Sequence, residues 1–433
     1  MTDFTERVNL AARRLGAGVV AASDEFFGEK ENLLRSGPPV SQPDTFGHKG
    51  QVVDGWETQR RRRSGHDFAL IRLGTGGVIH GVVVDTAHFT GNFPATCSVL
   101  ACAVDGYPSP TELLGPDVQW TEIVPRSDLA GDTENNFAVR DSHRFTHIQL
   151  NIYPDGGVAR LRVHGEVVPD PRLLDGISLD LVAEENGGTV VDASDRFYSA
   201  PENMIAPGRA AVMGDGWETR RRRDTGHDWA LFKLAACGHI RQVVVDTSCF
   251  LGNAPAAAAV QACDASVTGL DAAEWFDLVP RVPLLPDTRH RLRIGPAAAL
   301  PASHVRLNIY PDGGLARFRL FGEPTTGGRA CLGLRWLNRL PADYAMRMLA
   351  DECGLAETAV AELVGRRPYQ RSAQLDTLFT DGGLLPGLNA NAARRVRSLL
   401  LGSPVVPESQ VVPEGPVVSE GPVVPEGPVV SEG

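Results

Sequence analysis

Aromatic residues make up only 6% of this 433-residue chain. No stretch approaches the roughly 20 consecutive apolar residues that a membrane-crossing helix needs. The first scarcity disfavours a surface of exposed ring platforms, and the second leaves no candidate spanning helix. Cysteine is sparse too: seven residues, an odd number, which excludes a fully paired disulfide framework. Cys97 and Cys102, and the more widely spread Cys237, Cys249 and Cys263, lack the C-x-x-C spacing of a zinc site. The P-loop, the G-x-S-x-G elbow, the H-E-x-x-H helix and the Rossmann glycine pattern are all missing. Basic charge is in deficit, with a formal net charge of -11 and a pI near 5.5. That balance excludes a nucleic-acid-binding surface spread over the whole molecule. Met1 to Glu6 show no basic stretch running into an apolar one, so the expected location is the cytoplasm, with reduced thiols.

The chain does contain itself twice. Asp54-Gly55-Trp56-Glu57-Thr58 recurs as Asp215-Gly216-Trp217-Glu218-Thr219, 161 residues later. The offset holds through Gly65-His66-Asp67 and Gly226-His227-Asp228, Val83 to Thr86 and Val244 to Thr247, and Gly91-Asn92 and Gly252-Asn253. It becomes 157 at Asn151 to Gly157 against Asn308 to Gly314, and it is 171 at Ala22-Ser23-Asp24 against Ala193-Ser194-Asp195. So many blocks in one order identify a duplication, and the drifting offset puts the length changes in loops.

Within each copy the blocks read as short strands. Ala69–Leu73, Val78–Val84 and Val99–Ala101 are apolar or β-branched and are bounded by Gly, Pro and Asn. His147–Tyr153 and Val158–His164 alternate with period two around Pro154-Asp155-Gly156-Gly157, which predicts a β-hairpin. Gly91 and Asn92, with Gly252 and Asn253, are expected to serve a backbone of positive φ. The fold expected is mainly β: tandem antiparallel jelly-roll sandwiches over residues 1–168 and 169–328. Residues 329–402 change character. Leu337–Cys353 and Glu357–Val364 have helical periodicity, with Pro341 and Gly354 placed as start and stop. Residues 403–433 repeat Val, Pro, Glu and Gly with a six-residue period and are expected to be disordered.

Chemistry concentrates after Glu57 and Glu218, where arginine runs 60–63 and 220–223 precede the Gly-His-Asp triplets. An extended strand would put Arg61 and Arg63 on one face and Arg60 and Arg62 on the other. Three readings stay open at this point. The set could be a buried arginine–carboxylate network, with Asp54, Glu57, Asp67 and Asp85 as partners. It could be a guanidinium fork for a substrate carboxylate, with Glu57, His66 or Asp67 moving protons. It could also be a phosphate patch, which the interleaved acids disfavour. Asp85 and Asp246 end hydrophobic strands, where they face a cleft or cap a turn.

The Asp54–Thr58 string with its arginines and Gly65-His66-Asp67, together with Val83–Phe89 and Gly91–Pro94, resembles the allantoicase signature. The resemblance runs from about Phe4 to Pro324, twice over, with departures at Gln59 against Arg220, His88 against Cys249, and Leu251 in place of a more usual lysine. It implies hydrolysis of allantoate to ureidoglycolate and urea in purine breakdown, galactose-binding-like modules and a homo-oligomer. On it, Glu57, His66 and Asp67, or Glu218, His227 and Asp228, are expected to transfer protons. Arg61, Arg63, Arg221 and Arg223, with Asp85 and Asp246, are expected to bind the substrate. No cofactor or metal ligand set is called for, and neither nucleic acid nor membrane is an expected partner. The helical stretch from Leu337 to Tyr369 is similar to the opening of a decarboxylase family acting on the 2-oxo-4-hydroxy-4-carboxy-ureidoimidazoline intermediate. It lacks that family's later His-Pro stretch, which implies an inactive appendage. The competing functions are a non-catalytic carbohydrate- or ligand-binding protein on the same scaffold and a hydrolase of another ureido or amidine compound.

Overall fold

The computed structural model describes residues 3–42, 44–378 and 390–402. The expected disordered tail, 403–433, lies outside the described residues. The first repeat comprises β1 (Gly18–Ala22), β2 (Trp56–Glu57), β3 (Asp67–Asp85), β4 (Thr96–Cys102), β5 (Thr121–Asp128), β6 (Glu134–Ala138), β7 (Arg144–Tyr153), β8 (Gly157–Val158) and β9 (Arg160–Val167). The second repeats them in order as β10 (Thr189–Ala193), β11 (Trp217–Glu218), β12 (Asp228–Asp246), β13 (Ala257–Cys263), β14 (Phe276–Pro283), β15 (Arg289–Arg293), β16 (Pro301–Tyr310), β17 (Gly314–Leu315) and β18 (Arg317–Pro324).

Each module is organised by one 19-residue strand, β3 or β12. The first half of β3 pairs with β1 and β7, and β7 continues to β4 and β5. Its second half pairs with β9 and β6. The two strands expected at 69–73 and 78–84 are therefore one. Gly74-Thr75-Gly76-Gly77 carries it on instead of ending it, because the three glycines, without Cβ atoms, absorb the irregular register between Arg72 and Gly77. This long strand also overturns the expected hairpin. β7 and β9 do not pair with each other; they flank opposite halves of β3, and the turn between them crosses the sandwich. On the way, Gly157 and Val158 pair with Glu57 and Trp56.

Alternation along these strands fills a separate apolar core in each repeat. Trp56 and Trp217 are fully buried there, and each donates its indole N–H to a loop carbonyl, Asp24 O at 2.7 Å and Asp195 O at 2.9 Å. After β18 come α1 (Thr326–Arg339), α2 (Ala342–Cys353), α3 (Glu357–Gly365), α4 (Ser372–Asp376) and α5 (Ala390–Leu401). Pro341 separates α1 from α2, and Gly354 closes α2 in the left-handed conformation. These helices bury Trp336 and Leu337 in a third cluster that takes in Val78, Ala103 and Val168 of the first repeat.

The turn after β7 leaves no room for side chains. A Cβ on Gly157 would lie 2.0 Å from the Phe89 ring, and one on Gly314 would lie 1.9 Å from Phe250. Gly157→Ala and Gly314→Ala are each expected to cost about 1–3 kcal/mol of stability through overpacking. Chemical denaturation checks this; an unchanged midpoint in either variant contradicts the packing described.

Candidate active site

Thr58 to His66 form a loop, not a strand, because side-chain and backbone bonds pin the loop along the turn after β7. Thr58 N–H donates to Gly156 O at 3.2 Å, and Arg61 N–H donates to the Asp155 carboxylate at 2.7 Å. Strict alternation of the arginines therefore fails. Arg61 alone among residues 60–63 both turns inward and pairs with a buried group, and Arg63 is exposed. The second copy is pinned in the same way, Thr219 N–H to Gly313 O at 3.2 Å and Arg222 N–H to the Asp312 carboxylate at 2.8 Å. The counterpart of Arg61 is thus Arg222. Arg221 and Arg223, expected as anion binders, are exposed because the loop register turns them to solvent.

Asp67 and Asp228 open the long strands and are almost completely buried, at 2% and 1% exposure. One oxygen of Asp67 accepts from Arg61 Nη1 at 2.5 Å and Ser23 Oγ at 3.0 Å. One oxygen of Asp228 accepts from Arg222 Nη1 at 2.7 Å and Ser194 Oγ at 2.9 Å. The other oxygen of each carboxylate has no partner, nor has Arg61 Nε. A cavity of about 420 Å³ opens beside this group, lined by Ser23, Asp24, Gln59, Arg61, Arg63 and Asp67, with Arg60 and Arg62.

His66 packs on the Tyr153 ring with centroids 4.8 Å apart, and the Arg126 guanidinium lies 4.2 Å from that ring's centre. His227, Tyr310 and Arg281 repeat the arrangement at 4.7 Å and 3.9 Å. Glu57 is half-buried and accepts from the Asn92 amide at 2.6 Å; Glu218 accepts from Asn253 at 2.7 Å. Burial raises the Glu57 carboxyl above its ordinary pKa, more than the Asn92 N–H lowers it. Asp85 and Asp246 do not join the arginine group. Each caps the turn that follows it, Asp85 by accepting Ala87 N–H at 2.8 Å and Asp246 by accepting Ser248 N–H at 2.9 Å. Nor does Asp54 partner the arginine run: it holds Arg160, buried to 3% exposure, and Arg35.

Several participants were not singled out from sequence. Ser23 and Asp24 stood in a matched block, and Asn92 was read for its backbone. The left-handed residues of that turn are His88 and Cys249, with φ of 69° and 71°, which frees the Asn92 and Asn253 side chains for the glutamates. The matched blocks were the available signal, since side chains repeated in both copies mark these loops. Among the described residues no three His, Cys, Asp or Glu side chains converge as a metal-holding group.

The allantoicase repeat family model matches residues 8–168 and 179–325. A probable allantoicase of Streptomyces avermitilis is 50% identical over 344 residues, 77% of this chain and 90% of that protein. One from Nocardia farcinica is 53% identical over 323 residues, 74% of this chain and 95% of that protein. The crystal structure of allantoicase from Saccharomyces cerevisiae superposes with a TM-score of 0.61 at 34% identity, covering 73% of this chain and 93% of that one.

A raised Glu57 pKa means that the folded protein holds this proton to higher pH than the unfolded chain does. Its contribution to stability is present in acid and is lost as pH rises through the raised value. Carbon-13 titration should place the Glu57 midpoint above the ~4.3 of a free glutamate. Asn92→Leu, which removes a donor to the ionised form, should raise it further; a midpoint that falls in this variant contradicts the assignment.

Proposed function

The chain belongs to the allantoicase family, and on that premise we propose that it hydrolyses allantoate to ureidoglycolate and urea, using the Arg61 loop of the first repeat. Allantoate carries a carboxylate and two ureido groups on one carbon. The observation that carries the reading is the arginine fork itself: Asp67 holds Arg61 by Nη1 and leaves Nε without a partner beside a cavity. A planar guanidinium presents its Nε–Nη2 edge to a carboxylate as two parallel donors. Asp67 acts as a positioning residue, neutralising and orienting the arginine from within the sandwich.

Cleavage of the C–N bond needs a proton on the departing urea nitrogen and removal of one from the attacking water. Glu57, which burial keeps protonated to higher pH, supplies the first. His66 receives the second as the water oxygen bonds to the central carbon, and the two proton transfers balance. Glu57 ends β2 and Arg61 lies four residues on in the loop that follows, a span of at most about 14 Å of backbone. The reading extends to a cytoplasmic homo-oligomer. Seven unpaired thiols suit a reducing compartment. Each repeat also exposes an aromatic pair beside its arginine loop, Phe26 with Phe27 and Phe197 with Tyr198, as subunit contacts do.

Purified protein should release one urea and one ureidoglycolate per allantoate consumed. Arg61→Lys keeps a cation for Asp67 but loses the fork, so kcat/KM should fall by about 30-fold or more, mainly through KM. Glu57→Gln should lower kcat by about 10²–10⁴-fold with KM little changed. Near-normal turnover in both folded variants, or no urea from the wild type, overturns the reading.

A further inference from the structure

The two repeats share the buried aspartate, the serine beside it and the inward arginine, but they differ two residues after that arginine, where the first has Arg63 and the second Asp224. Asp224 meets the outer edge of Arg222 with both oxygens: Nε donates to Oδ1 and Nη2 donates to Oδ2, each at 3.0 Å. Gly226 N–H also donates to Oδ1 at 2.8 Å and fixes the carboxylate in place. With Nη1 on Asp228 at 2.7 Å, all three nitrogens of Arg222 are engaged. In the first repeat the same fork has Nη1 on Asp67, no partner on Nε, and an arginine where a carboxylate would have to come from. The bidentate arrangement that a guanidinium makes with a bound carboxylate is thus present in the second repeat, built from the chain itself.

We propose that Asp224 is a built-in occupant of the second repeat's carboxylate fork, so that each chain offers one working site for a carboxylate substrate, the Arg61 fork of the first repeat. The proposal rests on the reading that Arg61 receives the carboxylate of allantoate. Two features make the occupant hard to displace. It is tethered two residues from its arginine, so its effective concentration is at least millimolar, comparable with or above that of a free metabolite. It is also held in its charged form, because Arg222 and the Gly226 N–H lower its pKa. Arg63 acts in the opposite sense in the first repeat, adding positive charge at the mouth of the cavity and no acceptor that could close it.

The probe is ureidoacetate, which keeps the carboxylate and one ureido group of the substrate but has no second ureido group to expel. Calorimetric titration should give one site per wild-type chain, two in Asp224→Ser and none in Arg63→Asp, which plants a carboxylate opposite the open fork. Asp224→Asn serves as a second release variant, with the same expected stoichiometry of two, should the serine variant lose stability. A wild-type stoichiometry other than one, or release variants that stay at one while folded, overturns the proposal. Allantoate turnover by the same wild-type protein separates the two ideas. Absence of turnover refutes the underlying reading, whereas turnover with two sites per chain overturns only the role of Asp224.

Discussion

A carboxylate taken out of water at the first residue of the longest strand constrains everything around it. Asp67 and Asp228 sit where the sheet begins, almost wholly shielded, and an unpaired buried charge there would cost several kcal/mol. The fold meets that cost with a guanidinium delivered from a loop that no strand partner stabilises. The loop must then be held by other means: backbone bonds to the turn after β7, and an indole anchored in the core just before it. The long strand, the crossing turn and the arginine loop form one mechanical unit. A cation brought in to satisfy the strand keeps a buried Nε with no partner, and that donor is the one the proposed reading assigns to the substrate carboxylate.

Duplication lets the structural and the chemical demands be separated. Features common to both copies, such as the buried aspartate, its serine and arginine, the histidine against tyrosine and the glutamate against asparagine, are all consistent with the needs of the shared sandwich. Differences are more informative. Arg63 against Asp224 changes what the outer edge of the guanidinium meets. Ser98, which hydrogen-bonds the Tyr153 hydroxyl at 3.0 Å, is replaced by Ala259 at the matching place on β13. The two differences run in opposite senses: the first repeat leaves the arginine Nε without a partner but supplies its tyrosine hydroxyl with one.

Much of the fold was legible in the sequence because strand alternation and turn residues report on burial directly, and two copies report it twice. The sandwich and the helical segment followed from those signals. The hairpin between β7 and β9 did not, because a Pro-Asp-Gly-Gly turn reads the same whether the chain returns to its neighbour or crosses to the facing sheet. The arginine register failed for a related reason. Alternation assumes an extended strand, and the loop from Thr58 to His66 takes its conformation from bonds to residues about 90 positions away. The local sequence of Asp85 and Asp246 does not distinguish a carboxylate that caps a turn from one that faces a cleft, and in the structure both cap turns.

The helices after β18 enter this account as a buttress. Arg335 reaches Glu166 at 2.6 Å and the Val167 carbonyl at 2.7 Å, while Arg329 pairs with Asp175 in the connection between the repeats. Their contacts brace β9 and that connection, on residues away from the arginine loops. The central claim remains that a substrate carboxylate lies on the open edge of Arg61, and a crystal structure of the protein with bound ureidoacetate tests it most directly. The account predicts two parallel contacts of about 2.8–3.0 Å from Arg61 Nε and Nη2 to the ligand carboxylate, with Asp224 still on Arg222. Ligand on Arg222 with Asp224 displaced, or bound away from both arginine loops, would contradict it.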